Sequence, residues 1–71
     1  MTLTWEVADA YIAFRTDHDV AEAATKTLAR FSISHLDLIN ALGAEILSKN
    51  RPDYQEMQRY RNEVLSHFTE R

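Results

Sequence analysis

Residues 34–49 read Ser-His-Leu-Asp-Leu-Ile-Asn-Ala-Leu-Gly-Ala-Glu-Ile-Leu-Ser-Lys. Leu36, Leu38, Ile39, Leu42, Ile46 and Leu47 recur there at helical spacing, and the stripe they trace covers well over roughly a third of a helix circumference. Ser34 and, three residues later, Asp37 form the pattern of a capping box with Asp in place of Glu. The spacing therefore predicts a helix from about His35 to Lys49. An apolar arc so wide belongs in the centre of a core or in a subunit interface, so Leu38, Ile39, Leu42, Gly43 and Ile46 are its core or dimer residues. Asn40, Gly43 and Ala44 add a small-residue patch. Gly43 costs a helix interior about 1 kcal/mol relative to Ala, which points to close approach by another helix, to a kink, or to a merely tolerated glycine.

The flanking sequence supports the same fold class. The 71 residues contain one glycine, one proline and no cysteine, and 45% are hydrophobic. Gly and Pro supply the dihedrals that tight turns demand, so a chain almost without them is mostly continuous helix. Upstream, Thr4 is a suitable N-cap for a helix with Glu6 in its first turn. Trp5, Ala8 and Ile12 fall on one of its faces and Val7, Tyr11 and Phe14 on the next, an arc wide enough to be buried on more than one side. This helix should end near Arg15. Asp17 or Asp19 then caps an alanine-rich second helix whose Val20, Ala24, Thr27, Leu28 and Phe31 keep helical spacing. Downstream, Asn50, Arg51, Pro52 and Asp53 break the pattern, and Pro52 opens a fourth helix. Its apolar stripe runs through Tyr54, Met57, Tyr60 or Arg61, Val64, Leu65 and Phe68. The expected fold is one all-α domain over residues 1–71, a compact bundle of three or four short helices with helices three and four as its antiparallel backbone.

A chain this short buries only about 60% of its unfolded surface. Without disulfides or a metal cluster, it should be held by good helix packing or by association, and a homodimer is the expected state. Eight basic residues against 11 acidic ones give a net charge of −3, too weak to steer the chain onto nucleic acid or anionic lipid. No signal-peptide pattern or long apolar run is present, which reads as a soluble cytoplasmic protein without membrane contact.

Enzymatic signatures are absent. Ser34, His35 and Asp37 lie close together but are explained by capping, and Asp17, His18 and Asp19 lack the spacing of metal ligands. No catalytic, metal or cofactor-binding residue is assigned. A helix-turn-helix at about residues 20–49 is the alternative, with Lys26, Arg30 and Lys49 as its cations, but its reading helix carries Asp37 and Glu45 and no Arg. The strongest local signal is Gln58-Arg59-Tyr60-Arg61, because Tyr and Arg dominate binding hot spots. Arg51 and Arg71 flank it, and Glu56 and Glu63 are in helical reach of Arg59. Tyr54, Arg59, Tyr60 and Arg61 are thus the candidate partner-binding residues, the alternative being that Tyr60 packs in the core while Arg59 and Arg61 solvate its edge. The leading reading is a small non-enzymatic regulator, adaptor or inhibitor, that binds a larger protein through a helical face.

Overall fold

Local hydrogen bonding sets where each helix starts and stops. The computed structural model describes residues 3–48 and 52–69, and these form α1 (Thr4–Asp17), α2 (Val20–Phe31), α3 (His35–Ser48) and α4 (Tyr54–Thr69). The expected positions Lys49, Asn50, Arg51 and Arg71 lie outside the described residues. All-helical architecture is as expected from the scarcity of Gly and Pro.

Two of the predicted caps form. The Asp19 carboxylate accepts from the Glu22 N–H at 2.9 Å and starts α2. Ser34 and Asp37 close the capping box reciprocally, each backbone N–H donating to the other side chain at 3.2 Å. The Thr4 cap does not form. Leu3 occupies the N-cap position of α1 without a side-chain bond, and the Thr4 hydroxyl instead donates to Glu45 Oε2 on α3 at 2.9 Å. A buried carboxylate needs a donor more than an exposed helix end does, because water can satisfy the latter. α1 also runs two residues beyond Arg15, whose guanidinium reaches the His18 carbonyl at 3.1 Å. α4 begins at Tyr54 rather than at Pro52. Pro52 and Asp53 form the turn before it, and the Asp53 carbonyl accepts the first helical bond, from Met57 N–H.

Between α2 and α3 the chain reverses through Ser32, whose φ of 53° is left-handed. The Ser32 and Ile33 N–H groups both reach the Leu28 carbonyl, closing the end of α2 in the manner of an αL or Schellman cap. A serine thus takes the conformation that glycine usually supplies.

The core takes Val7, Ala8 and Tyr11 from α1, Ala23 and Ala24 from α2, Leu38, Ile39, Ala41 and Leu42 from α3, and Met57 and Val64 from α4. The alanines Ala8, Ala23 and Ala24 are among the fully buried members, so α1 and α2 meet largely through short side chains. The buried Thr27 hydroxyl is satisfied by the Ala23 carbonyl at 2.8 Å. α3 and α4 share the most extensive interface. They run antiparallel, since His35 stacks on Phe68 at one end while Ile46 and Leu47 face Gln58 at the other. The radius of gyration, 10.9 Å, is that of a folded chain of this length, about 11 Å.

Candidate functional site

The broad arc of α3 divides in two. Leu38, Ile39 and Leu42 are buried within the single chain against the other helices. Leu36 and Leu47 face solvent at 59% and 80% exposure. Gly43 and Ile46 lie between these sets and, with Leu47, form the α3 wall of a groove of about 470 Å³ whose α4 wall is Gln58, Arg61 and Asn62.

Gly43 and Leu47 on one wall and Gln58 and Arg61 on the other belong to longer stripes that share one spacing, although Asn40 itself lines a separate groove beside α1. On α3, Leu36, Asn40, Gly43 and Leu47 stand at i, i+4, i+7 and i+11, and on α4 so do Tyr54, Gln58, Arg61 and Leu65. That spacing keeps each set on one helix face over about three turns. Each stripe has exposed apolar ends, and the middle holds glycine on one helix and arginine on the other. Gly43 matters here because a Cβ at that position would stand 3.2 Å from Arg61 Nε and 3.7 Å from its Cδ. The close neighbour of Gly43 is therefore an arginine side chain and not the backbone of another helix. Arg61 Nε is itself buried and, among the described residues, has no hydrogen-bond partner.

The four residues predicted to bind a partner do not share one face. Tyr54 and Arg61 lie on the stripe just described. Tyr60 is half-buried and packs edge-on against Tyr11, ring centroids 5.9 Å apart. Arg59 is exposed and holds its guanidinium over the Tyr60 ring at 5.5 Å. Nor does Glu63 pair with Arg59. Its Oε1 accepts from Arg15 Nε at 2.9 Å and, at 3.3 Å, from the Tyr11 hydroxyl. Burial, and then the Glu63 charge, push the Tyr11 phenol above its ordinary range. The Glu63 bond and charge likewise hold the Arg15 guanidinium more firmly protonated.

Gln58 and Asn62, which lie off the predicted apolar stripe of α4, are groove residues. The matching i, i+4, i+7, i+11 sets on α3 and α4 were the signal that could have found Gln58, whereas Asn62 lies off that stripe. Trp5, expected on a buried face, is 51% exposed. It borders a second groove between α1 and α2.

Elsewhere the titratable clusters are structural. Ser34 and Asp37 are occupied in the capping box and His35 stacks on Phe68. Among the described residues no group of three or more His, Asp or Glu is placed to hold a metal ion, and no helix is long and apolar enough to cross a membrane. No family model matches the chain, and no curated protein or solved structure resembles it.

Proposed function

We propose that this chain is a small non-enzymatic regulator, an adaptor or inhibitor, that takes a helical segment of a larger protein into the α3–α4 groove. The observation that carries the reading is Arg61. Its Nε is a buried donor without an acceptor among the described residues, and leaving such a group unsatisfied costs about 1–3 kcal/mol. An acceptor brought by a partner recovers that cost, and buried arginines of this kind are frequent hot spots. Leu36, Leu47, Tyr54 and Leu65 offer exposed apolar side chains on the same stripes, and Gly43 lets the Arg61 side chain lie close across the middle.

The test is capture from the native cell with three baits: wild type, Arg61→Ala and Arg59→Ala. Arg61→Ala should lower recovery of the partner at least about tenfold, which is 1.4 kcal/mol, with helicity unchanged. Arg59→Ala, on the neighbouring face, should recover it normally. Equal recovery by all three baits would overturn the reading. So would binding of duplex DNA that depends on Lys26 and Arg30, the outcome expected if α2 and α3 read a groove around the left-handed turn at Ser32. The absence of any Arg or Lys from α3 and the presence of Asp37 at its start weigh against that outcome.

A further inference from the structure

The groove between α1 and α2, about 340 Å³, is bordered on α1 by the half-exposed Trp5. Its α1 wall includes Ala10 and Ala13, whose short side chains leave room for a large one. Glu6 and Asp9 put negative charge along α1, and Arg30 puts positive charge on the α2 side. One small face thus carries a large apolar knob, a shallow apolar hole, and charges of both signs. A two-fold interface requires this combination, because each half must contain what the other half needs.

We infer that this face joins two copies of the chain about a two-fold axis. Trp5 of each copy sits over Ala10 and Ala13 of the other, and Glu6 of each pairs with Arg30 of the other. The α3–α4 groove does not suit a second copy in the same way. Among the described residues none that lines it is a carboxylate, so a two-fold axis through it would set one Arg61 guanidinium against another. Self-association at the α1–α2 face leaves that groove to a different protein. Association also gives a chain of this size the burial that it lacks alone. A standard interface takes about 800 Å² from each partner, about one sixth of the chain's 4704 Å² surface.

Trp5 is the only tryptophan, so tryptophan fluorescence reports on this face alone. Between about 1 and 100 μM, the emission of the full chain should shift to the blue as sedimentation equilibrium moves from 8.2 kDa to twice that mass. Glu6→Arg and Arg30→Glu should each weaken self-association at least about tenfold, since each sets like charges against each other across the axis. An equimolar mixture of the two variants should associate again, because both cross-axis pairs are then of opposite sign. That rescue needs contact between chains, so a contact within one chain cannot imitate it. A wild-type monomer at about 100 μM would overturn the inference. A dimer whose Trp5 emission does not change, or a mixture that associates no better than its components, would do the same. Neither substitution touches Gly43 or Arg61, so a monomeric result here leaves the α3–α4 reading standing, and its failure leaves this one standing.

Discussion

Replacing Gly43 by Ala should make the protein more stable and a poorer binder. A glycine inside a helix costs about 1 kcal/mol relative to alanine, and Gly43 lies mid-way along α3 with an ordinary negative φ. Alanine therefore fits the backbone without strain. The added Cβ meets only Arg61, its Nε at 3.2 Å and its Cδ at 3.7 Å. These atoms belong to a flexible side chain that can give by a few tenths of an ångström, at a cost of about 0.5 kcal/mol if a torsion leaves its well. Displacement also brings Nε nearer to water, which offsets part of that cost. The net gain is about 0.5–1 kcal/mol, and in a chain this small it should raise the thermal midpoint by about 2–8 °C. Circular dichroism melts would read the gain. Partner capture should fall in the same variant, because the new methyl fills the middle of the groove and Arg61 has moved. Destabilisation by more than about 1 kcal/mol would refute the packing argument, since it would require something stiffer than an arginine side chain against Gly43. Higher stability with undiminished capture would show that the groove is not the docking surface.

Two further outcomes test the core and its polar edge. Leu42→Ala should cost about 2–5 kcal/mol, as expected for a fully buried leucine. That is a large share of the about 5–15 kcal/mol that a folded domain has in total, so denaturant midpoints should drop sharply, and an unchanged midpoint would mean that this face is not packed. Tyr11→Phe should change the alkaline limb of stability. Because burial and Glu63 raise the folded phenol above its ordinary value of 10.0, the unfolded phenol ionises first as pH climbs past that value, and Tyr11 then favours unfolding increasingly as pH rises. Stability of the wild type should fall more steeply above about pH 10 than that of Tyr11→Phe, and parallel curves would refute the assigned environment.

Much of this protein could be read from local sequence. Asp19 and the Ser34–Asp37 pair cap their helices with bonds that span three residues, so residue type and spacing sufficed to place those starts. The helical period likewise marked Leu38, Ile39 and Leu42 as inward-facing, because an apolar stripe of that width has to be covered by something. The choice among chemically equivalent partners was not local. Thr4 left the helix end for Glu45, 41 residues away, and Glu63 left Arg59 for Tyr11 and Arg15, 52 and 48 residues away. Arg61 came to line the groove while Tyr60 turned toward Tyr11. A cap competes only with water, and its outcome is decided within one turn of chain. A partly buried carboxylate takes whichever donor the packing of other helices delivers, and only the tertiary structure determines which donor that is.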